Sequence, residues 1–199
     1  MQDEDVKPPV RRARVTPARE ADLLSAALEV LREVGYEAMT MDAVALRGRC
    51  SKATLYKVWQ GKPQLVAAAL QETRPVDLEI IDTGTLKGDL LALVRQLADS
   101  AQENTALMTA LSHAALADRG LAEALRERLV GPEIGRLHAL VERAVHRGEL
   151  PALPGALAFL PQMLFAVLLS RPLFEDAFAD ADYLTSYVET ALLPALLHS

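Results

Sequence analysis

Apolar residues recur every three or four positions along most of the chain, the spacing of one face of an α-helix. No stretch alternates with period two for long enough to predict a strand. The first predicted helix begins at Pro17, which suits a first turn, and ends at Gly35, which suits the position after a helix. Its predicted apolar face consists of Leu23, Leu24, Ala27, Leu28, Leu31 and Val34.

Two short helices are predicted next. Thr40 is a good N-cap for a helix from residue 41 to about 48, and Ser51 is a good N-cap for a helix over residues 52–59. In the second short helix, Leu55 and Trp59 are four positions apart and therefore point to the same buried side. A fourth helix is predicted from about residue 62 to beyond Leu70. The remaining helices are predicted at about 85–103, 105–117, 120–147, 155–171 and 180–197, with breaks near 83–84, Asn104, 118–120, 148–155 and 172–179.

These elements predict an all-α fold. The short helices and the long helix before them form an N-terminal three-helix helix-turn-helix domain, which a larger helical C-terminal domain follows. We expect a basic arm over residues 1–16, a helix-turn-helix domain over 17–62 with a connecting helix to about 80, and a larger helical domain over 81–199.

Composition narrows the protein class. Cys50 is the only cysteine, so no intrachain disulfide forms and a reducing compartment fits. The first 15 residues lack the apolar core of a signal peptide. The longest apolar stretch, residues 156–169, contains Pro161 and Gln162 and is shorter than the roughly 20 residues of a membrane span. We therefore expect a soluble, cytoplasmic protein with no membrane partner.

The formal net charge of −6 hides an asymmetry. Residues 1–62 carry 11 Lys and Arg against 9 Asp and Glu, whereas residues 63–199 carry 10 against 18. The first part is therefore +2 and the second is −8. A basic N-terminal third on an acidic remainder favours contact of the first part with a polyanion.

Helix-turn-helix geometry suits DNA, because one short helix enters the major groove while the helix before it crosses the backbone. With Leu55 and Trp59 buried, the helix over 52–59 presents cations, a small residue and a phenol to the groove. These groups are suited to base edges and phosphates. The arm with Arg11, Arg12 and Arg14 fits a DNA-contacting segment and a solvated tail about equally well. The exposed face of this helix consists of Lys52, Ala53, Tyr56 and Lys57.

The stretch from Ala27 to Leu70 resembles the N-terminal domain of the TetR family of transcriptional repressors. The landmarks are G-Y-x-x-x-T at 35–40, S-K-A-T-L-Y at 51–56 and G-K-x-x-L at 61–65. The resemblance implies double-stranded operator DNA as a partner, a homodimer through the last two helices, and a small-molecule effector in the C-terminal domain. It implies phosphate contacts by Thr40, Ser51, Tyr56 and Lys62, and positions at or near bases for Lys52, Ala53 and Lys57. We also expect Arg49 and Thr54 to contact DNA.

Two positions depart from the family pattern. Arg49-Cys50 stands where members usually have Gly-Val, and a non-glycine residue in a left-handed turn costs about 1 kcal/mol. We therefore expect a slightly different turn in which Gly48 takes part. Val58 stands where a polar residue, often His, is common, so one DNA contact is absent. Cys50 fits a small apolar slot better than a redox sensor.

No residues resemble a nucleophile with its base, a phosphate loop or a metal-ligand set, so neither an enzyme nor a cofactor is expected. Several helical residues fit the lining of a largely apolar effector pocket, although the same spacing also fits ordinary core packing. His113 in particular fits a core position. The candidate pocket residues are Leu107, Met108, Leu111, His113, Phe159, Gln162 and Met163.

The sequence therefore predicts a repressor that a small apolar effector releases from a palindromic operator. Two other classes stay open. One is a dimeric DNA-binding protein without an effector, whose C-terminal domain contacts a protein partner. The other is a helical ligand-binding or scaffold protein that has lost DNA binding.

Overall fold

The computed structural model describes residues 16–74, 78 and 80–199. Every regular element within these residues is helical, which confirms the predicted all-α fold. The predicted arm with Arg11, Arg12 and Arg14 lies outside the described residues.

Four helices form the N-terminal part of the structure, which we call the reading head. Gly35 has a φ of 76° and interrupts the first helix at the predicted position, after which one further turn follows. Thr40 and Ser51 cap the next two helices, as expected. The predicted burial of Val34 is wrong, since its side chain is half exposed. The helices are α1 (Pro17–Ala38), α2 (Met41–Arg47), α3 (Lys52–Trp59) and α4 (Lys62–Glu72).

The C-terminal helices follow the predicted order, with three shifted boundaries. The helix predicted from residue 155 begins as a 3₁₀ turn over Gly155–Phe159, and its α-helical part begins at Leu160. The break predicted at Asn104 lies at Ser100, and the Asn104 amide donates to the Ser100 hydroxyl at 2.9 Å within the helix that follows. The helix predicted to end before Pro172 continues past it, because proline near a helix end removes only one hydrogen bond. These helices are α5 (Leu86–Asp99), α6 (Ala101–Ala117), α7 (Arg119–Leu125), α8 (Gly131–His146), α9 (Leu160–Glu175), α10 (Ala181–Tyr187) and α11 (Leu193–Leu197).

Two π turns join consecutive helices, and each ends directly before a Gly-Pro or Leu-Pro pair. Residues 126–130 connect α7 to α8 before Pro132, and residues 188–192 connect α10 to α11 before Pro194. The Gly131 and Leu193 amides donate five residues back, to the Arg126 and Val188 carbonyls. Proline has no N–H for the usual four-residue bond, so the wider turn keeps the helix direction across each proline.

The buried apolar residues form two cores. The first unites the reading head with α6 and α7, because Leu111, Ala114 and Leu121 pack with residues of α1 to α4. The second core lies among α5, α8, α9, α10 and α11. The first core therefore couples the helix-turn-helix directly to α6 and α7 of the C-terminal part.

A buried carboxylate holds the loop before α5 against the end of α8. Asp89 is fully buried. It accepts hydrogen bonds from the Thr83 amide at 2.6 Å and the Thr83 hydroxyl at 2.8 Å. The Arg147 guanidinium donates to its other oxygen at 3.2 Å, and Arg143 lies 4.0 Å from it. This network joins segments almost sixty residues apart.

Candidate nucleic-acid interface

The exposed face of α3 is formed by the residues that the sequence predicted. Leu55 and Trp59 are buried in the first core, and Lys52, Ala53, Tyr56 and Lys57 are exposed on the opposite side. Ser51 begins the helix by accepting a hydrogen bond from the Thr54 amide at 3.1 Å, and the two hydroxyls lie 2.8 Å apart. The packing of Leu55 and Trp59 thus fixes which side of α3 faces solvent.

Lys52 has a partner that the sequence analysis missed. Its ammonium donates to the carboxylate of Asp42 on α2 at 2.8 Å. This hydrogen bond, together with the charge of Asp42, raises the pKa of Lys52, so the side chain stays cationic at neutral pH. Both groups are exposed, and exposed ion pairs are weak, so water or a phosphate can compete for Lys52.

The turn between α2 and α3 has its left-handed residue at Arg49, with a φ of 48°. Gly48 takes part in the turn, but in a right-handed conformation with φ −78°. Glycine is needed there for space, because a Cβ at position 48 would lie 2.7 Å from Leu23 Cδ2. The Arg19 guanidinium donates to the Gly48 and Arg49 carbonyls and closes the turn.

Arg49→Gly is expected to raise the free energy of unfolding by about 0.5–1 kcal/mol, because glycine adopts the left-handed region without steric cost. Gly48→Ala is the matched control with the opposite sign, since its new methyl would press on buried Leu23, and we expect a loss of about 1–3 kcal/mol. Urea unfolding followed by circular dichroism measures both changes. A destabilised Arg49→Gly or a neutral Gly48→Ala contradicts the turn geometry.

Cys50 is partly buried and packs against the first core. Burial raises the pKa of its thiol, while the nearby Arg19 acts in the opposite direction. A thiol with a raised pKa is a poor nucleophile at neutral pH, so this environment favours packing over redox sensing.

Thr40 is the N-cap of α2, and Lys62 is the first residue of α4. The Thr40 hydroxyl accepts from the Ala43 amide at 3.1 Å and is exposed at the start of α2. Lys62 begins α4, and its ammonium donates to the Tyr36 carbonyl at 2.9 Å while lying 4.2 Å from the centre of the Tyr36 ring. The structure therefore places Lys62 partly against the protein, at the edge of the predicted interface.

The predicted effector-pocket residues do not come together. Leu107 and Leu111 line an open groove of about 440 Å³ between α1 and α6. Met108 packs against the first core, whereas Met163 packs against the second. The three remaining side chains are exposed. The sequence did not predict this, because helical spacing does not tell which face of a helix packs against which core. They are His113, Phe159 and Gln162.

Comparison with known proteins identifies the family. Residues 23–69 match the family model described as "Bacterial regulatory proteins, tetR family", and residues 80–191 match "Tetracyclin repressor-like, C-terminal domain". The chain belongs to the TetR family of transcriptional regulators. It is therefore a DNA-binding transcriptional regulator, and the resemblance seen in the sequence is confirmed.

Individual relatives agree with this assignment. A "DNA-binding transcriptional repressor TetR" of Mycobacteroides abscessus is 38% identical over 137 residues, which cover 66% of this chain and 70% of that protein. An uncharacterized HTH-type transcriptional regulator of Mycobacterium bovis is 29% identical over 91% of this chain and 89% of its own length. The crystal structure of a TetR family transcription regulator superposes with a TM-score of 0.67 at 28% identity, covering 89% of this chain and 97% of that one.

The members of the TetR family share general properties. Proteins of the family are soluble transcriptional regulators, typically without enzymatic activity, that bind operator DNA, dimerise and bind effector ligands. Within the described residues one helix, Gly155–Glu175, is long and apolar enough to cross a membrane by length and composition, and only 22% of its most apolar window is buried. A soluble protein needs a cover for such a helix.

Proposed function

We propose that this regulator is a cytoplasmic, non-enzymatic repressor that inserts α3 into the major groove of an operator. The observation that carries this proposal is the polar face of α3, which is exposed while Leu55 and Trp59 on the opposite side are buried. In this arrangement Lys52, Ala53 and Lys57 face base edges. The flanking contacts to phosphate come from Thr40, Arg49, Ser51, Thr54, Tyr56 and Lys62.

The proposed homodimer is made by the last two helices of the fold, α9 and the helix α10–α11. Phe159 is 63% exposed and Phe165 is 44% exposed on the segment from residue 155 to 175. Leu173 and Phe174 are also exposed near its end. An apolar surface of this kind marks an association site, and a two-fold axis through it sets the two α3 helices on successive major grooves.

The proposed domain roles follow from this arrangement. Residues 17–62 read DNA, α4 connects them onward, and residues 81–199 dimerise and receive a small, largely apolar effector. The connecting helix α4 ends at Glu72, so its predicted end near residue 80 is wrong. The groove between α1 and α6 supports an effector that acts beside the reading head, because Leu107 and Leu111 line it together with Tyr36 of α1. By linkage, an effector that weakens operator binding must itself bind more weakly to the DNA complex.

A regulator without a small effector is a second candidate, because His113, Phe159 and Gln162 are exposed rather than enclosed. In that case the C-terminal part only dimerises or contacts a protein partner. The two candidates differ in one measurement: the operator affinity of the purified protein in the presence of compounds that bind it. An unchanged affinity with every such compound favours the second candidate.

The DNA role is tested by fluorescence anisotropy with fragments selected from the upstream region of the protein's own coding sequence. Tyr56→Ala combined with Lys57→Ala is expected to weaken operator binding about 100-fold, because it removes one phosphate contact and one base contact. Lys87→Ala, which removes an exposed cation from α5, is the matched control and should leave affinity unchanged. Equal affinity of the double variant and the wild type contradicts the proposed interface.

A further inference from the structure

A chain of contacts runs from the start of α7 to the predicted DNA interface. The Tyr36 hydroxyl at the end of α1 donates to Asp118 Oδ2 at 2.6 Å. The other oxygen, Oδ1, accepts from the Leu121 amide at 3.1 Å and caps α7. Tyr36 is buried, so its ring is held by the core on all but a small part of its surface.

The same tyrosine holds Lys62. The carbonyl of Tyr36 accepts from the Lys62 ammonium at 2.9 Å, and the ring lies 4.2 Å from that ammonium. An ammonium has three donors, so donors remain for an operator phosphate when one is used by the carbonyl. Tyr36 therefore restricts Lys62 to a defined direction at the first position of α4.

The electrostatics keep this arrangement intact at neutral pH. Burial and the hydrogen bond to Asp118 raise the pKa of Tyr36 well above its usual range, so the phenol remains a donor. The Tyr36 hydroxyl, the Leu121 amide and the charge of Lys62 all lower the pKa of Asp118, so the carboxylate remains an acceptor.

We propose that Asp118, acting through the Tyr36 hydroxyl, positions the Lys62 ammonium for an operator phosphate. Asp118 is thus a positioning residue at the α6–α7 junction that sets operator affinity without touching DNA. The proposal rests on the proposed interface, in which Lys62 binds phosphate. A side chain that is already immobilised loses less conformational entropy when it binds its ligand. Tyr36 restricts Lys62 before DNA binds and so lowers this entropic cost of binding.

The physical consequence is that a displacement of the α6–α7 junction reaches the DNA interface through one hydrogen bond. The start of α7 lies beside the start of α4, since a Cβ at Gly120 would lie 3.6 Å from Pro63 Cγ. Leu121 of α7 belongs to the same core as the reading head. A movement of Asp118 therefore breaks the hydrogen bond that fixes the Tyr36 ring beside Lys62.

A double-mutant cycle on operator affinity tests the proposal with the full-length protein. Tyr36→Phe removes only the hydroxyl and is expected to weaken operator binding roughly two- to tenfold. Asp118→Asn, which retains an N-capping side chain, is expected to weaken it similarly. In a Lys62→Met background both effects should vanish, whereas in a Lys57→Met background, the matched control, they should persist.

The outcomes distinguish a failure of the proposed Lys62–phosphate contact from a failure of the positioning role. If Lys62→Met alone leaves the affinity and its salt dependence unchanged, Lys62 does not bind phosphate and the positioning role fails with it, while the α3 contacts are still tested by Tyr56 and Lys57. If Lys62→Met weakens binding but Tyr36→Phe and Asp118→Asn do not, or weaken it equally in both backgrounds, the positioning role is overturned. Thermal unfolding of each variant verifies that the affinities compare folded proteins.

Discussion

Asp89→Ala is expected to lower the free energy of unfolding by about 3–5 kcal/mol, because it removes one partner of a buried charged network. Asp89 is fully buried, and its loss leaves the Thr83 amide and hydroxyl without their acceptor. It also leaves the Arg147 and Arg143 guanidinium groups without the buried carboxylate. Urea unfolding at neutral pH, followed by circular dichroism, measures the change.

Asp82→Ala is the matched control for this prediction. Asp82 is in the same loop and lies 3.5 Å from Arg147, but its side chain is 63% exposed. An exposed ion pair contributes little, so we expect a change within about 0.5 kcal/mol. Similar losses in Asp82→Ala and Asp89→Ala would show that burial is not what makes Asp89 important.

Phe165→Glu is expected to convert the dimer into monomers at micromolar concentration. Phe165 is 44% exposed on α9, on the apolar surface that we assign to the dimer. A two-fold interface contains each substitution twice. A loss of about 2 kcal/mol of association free energy per subunit therefore raises the dimer Kd about a thousandfold. Operator affinity should fall with it, because two linked reading heads bind far more tightly than one.

Analytical ultracentrifugation over a concentration series measures the dimer Kd. Leu46→Glu is the control for adding a charge at an exposed apolar residue. Leu46 is on α2 in the reading head, so this variant should remain dimeric. A dimeric Phe165→Glu, with wild-type affinity for its operator, would place the interface elsewhere. The exposed apolar residues of α9 would then need another cover.

Most of the reading head was predictable from the sequence because its signals are local. Thr40 and Ser51 cap α2 and α3 through hydrogen bonds to residues three positions on. The four-residue spacing of Leu55 and Trp59 orients α3, and both are buried as predicted. The α6 boundary shows the limit of such signals, because Asn104 resembles a helix break but lies in the first turn of α6, where its amide donates to the hydroxyl of the N-cap residue Ser100.

The candidate interface was only partly predictable. Its exposed residues follow from helical periodicity, but their partners come from other elements. Lys52 pairs with Asp42, ten residues earlier, and Lys62 stacks on Tyr36, twenty-six residues earlier. Neither spacing is a helical neighbour relation, so no sequence pattern announces these contacts.

The sequence by itself determined the helical class, the helix-turn-helix with its caps, the exposed face of α3 and the family of this regulator. Each depends on residues within about four positions or on a short motif. The tertiary structure alone decided the links across the chain, namely Tyr36 to Asp118, Asp89 to Arg147, and the division of Leu107, Met108 and Met163 between two cores. The physical reason is that periodicity fixes which side of a helix is apolar, whereas only the packing of whole helices fixes which apolar sides meet.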